Sequence, residues 1–219
     1  LADAQVNKEA YTNMTSDILK ARSDAKLNQG QNFSRLMSFA MYGPKSPATN
    51  LLTEAELTNM NPQELVDRIH NQNSYKHRIL YYGPSSSKDL LATINQYHQV
   101  PATLKDIPAG NEYAYLETPV TKVLVAPYDA KQIYMAQISN LDKKYDPAIE
   151  PIRALYDEYF GGGMNSIVFQ EMRETRGLAY SAWASIMPPS YLKYPYVLRT
   201  QIATQNDKMI DAVTTFNDI

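Results

Sequence analysis

His70, His77 and His98 are the only imidazoles in this chain, and there is no cysteine beside them to serve as a metal ligand. Zinc-assisted hydrolysis from a helix commonly uses two imidazoles one turn apart with an intervening Glu as general base. No two of these histidines are four residues apart and none follows a Glu. No metal site is therefore expected; His70 and His98 are expected on helix faces and His77 at the entry to a strand. The residues that could do chemistry gather instead around Gly161-Gly162-Gly163. Three glycines permit positive φ and close backbone approach, as an abrupt reversal between helices requires. They should leave the next helix's N-terminus uncovered, where free N–H groups attract anions or carbonyl oxygens. A phosphate loop would follow a strand and continue with Lys and Ser or Thr. Here a helix precedes and Met164-Asn165 follow, which argues against phosphate. Farther on, Arg173 near a helix end and Tyr180 at a strand start lie seven positions apart. Spacing alone makes them a surface cation paired with Glu and a Tyr packed in a sheet. Arg176 sits where a cation suits a helix C-terminus.

The elements that must position these residues are legible in outline. Residues 4–27 carry a ragged helical stripe of Val6, Ala10, Met14, Ile18 and Ala25, which Gly30 is expected to break. Phe33 to Met41 form a second helix ending at Gly43-Pro44. Thr53 with Glu56 reads as a capping box, and Asn61-Pro62-Gln63-Glu64 supplies a cap, a Pro at N1 and an acid at N3. Residues 78–82 predict a strand. Ser85 to Ser87 cap a helix that buries Leu90, Leu91, Ile94 and Tyr97. Pro101, Pro108, Gly110 and Asn111 mark a linker over 100–111. Beyond it, 120–126 and 132–139 predict an antiparallel hairpin. A helix over 147–160 should turn Ile149, Ile152, Leu155, Tyr156 and Tyr159 inward. Another over 165–175 should end at Gly177. Strands over 179–187 and 196–204 and a helix from Asp207 complete an α+β pattern, a mainly antiparallel sheet with helices on one face. Leu155, Tyr159, Phe169 and Met172 are expected to face that sheet.

The run from Tyr159 to Ser181 (YFGGGMNSIVFQEMRETRGLAYS) carries a more specific signal. It resembles the glycine-rich turn, helix and strand of M16 peptidases, the pitrilysin and insulinase type. Tyr82-Gly83 closing a strand, a following helix, a Pro-bearing linker and Lys131-Gln132 entering a strand keep that family's order. The likeness is good over about 54–204 and weaker over the N-terminal helices. It implies the M16 fold, of the LuxS-like metallohydrolase type. It also implies that residues 1–105 are the helical tail of a preceding domain. Residues 106–219 would then be most of a C-terminal-type α+β domain. By the same resemblance Arg173 and Tyr180 match an Arg and a Tyr that project into the chamber opposite the zinc. There the phenol donates to the scissile carbonyl as charge develops, and the guanidinium holds substrate carbonyls. The parent protein would be a zinc endopeptidase closing like a clamshell on a peptide or unfolded polypeptide. This chain would be inactive alone, holding no cofactor, while the parent carries Zn2+ in another half of the same chain or of a partner subunit. The alternative is a catalytically inactive structural or partner-binding module of the same fold.

Composition limits the other possibilities. With a formal charge of −2 the chain lacks the basic field that nucleic-acid phosphates require. No apolar run approaches the ~20 residues of a membrane span. Seventeen tyrosines against five phenylalanines suggest half-buried surfaces such as sheet faces or a polypeptide-binding wall, or a simple preference for Tyr over Phe. The chain starts at Leu1 and stops inside a predicted helix, as an excised piece of a longer protein would. By resemblance the periplasm or cell envelope is its expected location, with the cytoplasm as the alternative.

Overall fold

Local signals set most element ends in the computed structural model, which describes residues 3–219. In chain order the helices and strands are α1 (Lys8–Lys26), α2 (Gln29–Tyr42), α3 (Glu54–Asn59), α4 (Pro62–Asn71), α5 (Ser87–Tyr97), β1 (Gln132–Lys144), α6 (Glu150–Asp157), α7 (Ile167–Phe169), β2 (Ser181–Met187), β3 (Pro195–Gln205) and α8 (Met209–Asp218). α6 continues as a π-helical turn over Glu158–Gly162, and α7 as another over Gln170–Thr175. The first helix breaks at Asn28 rather than at Gly30. The Asn28 side chain accepts from the Gln31 N–H as an N-cap, so Gly30 falls inside the first turn of α2. Gly43, at φ 75°, then ends α2 as expected.

Two units make up the chain, Leu1–Arg22 with Leu52–Glu112 and Ser23–Leu51 with Tyr113–Ile219. In the first, the Thr53–Glu56 capping box forms in both directions and Asn61 caps α4 with Pro62 at N1. Ser86 caps α5. Of the residues expected to be buried on α5, Leu90 and Ile94 are half-buried, whereas Leu91 and Tyr97 are exposed. Residues 78–82 are not a strand. They find no pairing partner, and Leu80 and Tyr82 stand in solvent. The pairing in this region is a single bridge between Tyr75 and Lys105. Hence His77 enters no strand, and its Nε2 lies 2.7 Å from His98 Nε2. His98 is the C-cap of α5 rather than a helix-face residue, while His70 is exposed on α4.

The second unit is built on an antiparallel sheet in the order β1-β3-β2, with Ile138 opposite Arg199 and Ala184 opposite Thr200. On one face Val168, Met172, Ala212 and Phe216 from the helices pack on Ala182, Ala184 and Ile202. The pleat turns Tyr134 to the other face, where the Phe33 ring of α2 meets it edge-on at 5.6 Å. Tyrosines do line partly buried places here. Burial and the neighbouring Tyr115 hydroxyl push the Tyr42 phenol up to about 12. Residues 120–126 form no strand: β1 takes β3 as its partner, and Val120, Val123 and Val125 are left exposed. Among the described residues no helix is long and apolar enough to cross a membrane.

Candidate functional site

The glycine turn is shaped by the edge of the sheet it abuts. α6 presents its polar side to β2, although its apolar residues obey the helical period. Arg153 Nη1 donates to the Ile186 carbonyl at 2.9 Å, and the Ile186 N–H donates to Asp157 Oδ1 at 2.8 Å. The Ser185 hydroxyl donates to Asp157 Oδ2 at 2.9 Å. Arg153 also pairs with Glu150 and with Asp157, at 3.1 and 2.6 Å. These side chains satisfy edge groups of β2 as a neighbouring strand would, which removes a template for unwanted pairing. Next along, Gly161 takes over. A Cβ there would overlap the backbone N, Cα and O of Ala184, so only glycine lets the chain lie this close.

The expected inward face of the 147–160 helix is thereby corrected. Leu155 is 72% exposed, Tyr159 66%, and Ile152 and Tyr156 also face out, because the charged side claims the β2 edge. Phe160 packs against the core margin instead. In the following segment Met172 is fully buried and Phe169 half-buried. The Tyr196 hydroxyl donates to Glu150 at 2.6 Å. That bond first, and Arg153 second, hold the Glu150 carboxyl below its usual 4.5. Sequence reasoning missed this group; Glu150, Arg153 and Asp157 at i, i+3 and i+7 were its available signal.

Nor is the helix after the glycines left uncovered. Ser166, wholly buried, accepts from the Phe169 N–H at 3.3 Å, and its own N–H donates to Gly163 O. This cap removes part of the donor array an anion would need. At the other end the π-helical turn closes as Leu178 and Ala179 N–H both donate to Met172 O. Gly177 stands at φ 58° as the cap the sequence predicts. The Tyr180 N–H then donates to Ala203 O at 2.8 Å, which fixes where its side chain leaves the sheet.

These two anchors bring Arg173 and Tyr180 together. The Arg173 guanidinium carbon lies 5.0 Å from the Phe169 ring centroid and 5.7 Å from that of Tyr180. Tyr180 is 71% exposed, so it is not a packed sheet residue. Arg173 is half-exposed and reaches Glu174 at 3.5 Å. Arg176 pairs with Glu171 near the helix end. Phe169, four residues before Arg173, was expected from the sequence only as a sheet-facing residue; its i−4 spacing from Arg173 was the available clue to this contact. Chemically, the site offers a fixed cation and a solvent-facing phenol side by side, a pair suited to carbonyl or carboxylate oxygens. Among the described residues no cluster of three or more potential metal ligands forms.

No family model matches the chain, and no curated protein does. Solved structures do. The M16 peptidase inactive domain from Pseudomonas fluorescens aligns with 99% of this chain at a TM-score of 0.52 and 14% identity. A protease from Helicobacter pylori aligns with 98% at 0.64 and 11% identity. A conserved protein from Enterococcus faecalis aligns with all of it at 0.56 and 18% identity. This chain spans 53%, 53% and 51% of those chains, about half their length. This chain shares its fold with about half of that M16 inactive domain.

Proposed function

We propose that this chain is a zinc-free portion of an M16-like zinc metalloendopeptidase, forming the chamber wall opposite the metal and holding peptide substrate. The observation that carries this reading is the pairing of Arg173 with Tyr180 on an exposed surface, each fixed from behind by backbone anchors. The guanidinium holds backbone carbonyls of an extended peptide. The Tyr180 O–H donates to the scissile carbonyl oxygen as negative charge grows on it. Zinc held by another half of the parent would supply a polarised water; this chain contributes substrate binding and the second face of the cleft. Two halves closing on an unstructured polypeptide account for why neither residue needs a pocket of its own.

The test is Tyr180→Phe in the full-length parent. A donor that matters most to the oxyanion is lost mainly from the transition state, so kcat should fall ~100- to 1,000-fold with little change in KM. Arg173→Lys keeps the charge but loses the planar fork, and KM should rise as well. Full activity with Tyr180→Phe sinks the proposed role. The second reading, an inactive partner-binding module, is favoured by the outward apolar side of α6, where Leu155 and Tyr159 are unpartnered. The parent sequence separates the two, since a His-x-x-Glu-His in its other half or in a partner subunit is required only by the first.

A further inference from the structure

A small open recess lies where α2 ends and the chain turns back on it. Arg35, Phe39 and Gly43 follow one another at helical i, i+4 spacing, so they line up along one side of α2, and all three border the recess. Gly43, at φ 75°, then turns the chain so that Ala48, Thr49 and Leu51 form the facing wall. Hydrogen bonds within the turn hold it in place. The Thr49 hydroxyl donates to Pro44 O at 3.0 Å and accepts from the Ser46 N–H at 2.9 Å. The Thr49 and Asn50 N–H groups both donate to Ser46 O. With these polar groups satisfied inside the turn, the recess presents apolar surface, of which Phe39 is 48% and Leu51 56% exposed.

Charge around the recess has one sign. From Ala25 to Thr53 the chain contains Lys26, Arg35 and Lys45 and no acid. Among the described residues Arg35 has no carboxylate partner, and it is exposed.

Size and charge together select an occupant. The recess holds about 160 Å³. That is below the roughly 300–1,000 Å³ of small-molecule sites and close to the ~150 Å³ that takes up a benzene-sized group. One apolar side chain fills it. Because Arg35 is part of the lining, the anion it meets must be attached close to that side chain. In an extended peptide adjacent side chains point to opposite sides, and the nearest on the same side is about 7 Å away. An α-carboxylate, by contrast, belongs to the same residue. We propose that this recess binds the C-terminal residue of a peptide. An apolar side chain such as Leu lies against Phe39 and Leu51, and the α-carboxylate meets the planar fork of Arg35. The site asks nothing of Arg173, Tyr180 or zinc, so it stands or falls apart from the wall reading.

Titration of the whole chain with the peptide Gly-Ser-Gly-Ser-Gly-Leu, followed through the amide NMR signals of Ala48 and Leu51, tests this. The free acid should bind at least about tenfold more tightly than its C-terminal amide, and than the same peptide ending in Gly. Arg35→Gln should abolish the preference for acid over amide and keep that for Leu over Gly. Ala48→Leu fills the recess and should abolish the preference for Leu over Gly. Both positions are exposed, so both variants should keep the unfolding midpoint of the parent chain. Equal affinity for acid and amide overturns the proposal, as does tighter binding of an amidated peptide that carries an internal Glu beside Leu. An absence of shifts at Ala48 and Leu51 with millimolar peptide overturns it as well.

Discussion

The two edges of the same three-stranded sheet are handled in opposite ways. At β2 the edge is covered by side chains and a glycine: Arg153 and Asp157 take the Ile186 carbonyl and N–H, and Gly161 lies on Ala184. At β1 the edge is bare along Tyr134 to Ile138 while apolar residues stand exposed in the segment before it. Covering an edge with charges has a specific cost, since it turns the polar side of α6 inward and leaves Ile152, Leu155 and Tyr159 in water. An amphipathic helix does not by itself say which side faces its sheet; the partner's unmet hydrogen bonds can outbid apolar burial.

If the covered edge depends on close backbone approach, Gly161→Val should be the most damaging change. Its added atoms meet backbone rather than a yielding side-chain tip, and a loss of about 3 kcal/mol is expected in urea unfolding. The β1 edge offers no equivalent site. Next, Asp157→Ala leaves the Ile186 N–H and the Ser185 hydroxyl without their acceptor. A loss of about 1–3 kcal/mol should accompany faster exchange of the Ile186 amide, with amides at the β1 edge unchanged. Equal acceleration at both edges would mean that Asp157 supports the whole sheet rather than one side.

Acid provides a gentler probe. Glu150 is held below 4.5 in the folded chain by Tyr196 and Arg153. The unfolded chain therefore binds the proton more readily, and this contribution to stability is present above pH ~4.5. It is lost as pH falls through the depressed folded value. Glu150→Gln should flatten the unfolding midpoint against pH in that acid window alone. An unchanged acid limb would break the link between this carboxylate and α6. Smallest of all, Leu155→Ser should shift the midpoint by no more than about 0.5 kcal/mol, because the side chain already stands in solvent. A loss several times larger would show that the helix buries this side after all.

Features set within one turn of chain were the most legible. The Thr53–Glu56 box, the Asn61-Pro62 start and the Gly177 cap depend on neighbours in sequence, and all three form. The strands that pair over long separations were partly legible: 132–139 and 196–204 lie within observed strands, but the choice of β3 as partner for β1 could not be read from alternation. Val120 to Ala126 alternates as well as either, yet it lacks a partner. Tyr180's emergence beside Arg173 was expected only through the M16 resemblance, since spacing alone favoured a packed Tyr.

The π-helical turn over Gln170–Thr175 makes this surface sensitive to chain length. Each residue of an α-helix advances about 100° around the axis, and a π-turn accommodates one residue more than its α counterpart. Inserting a further residue between Phe169 and Arg173, beyond the one that the π-turn already absorbs, would turn the guanidinium about 100° away from Tyr180. Lengthening the 127–131 connection by one residue would leave both side chains where they are. Insertions should therefore be strongly filtered in one short helix and tolerated a few dozen residues earlier, a pattern that substitution scans alone would never reveal.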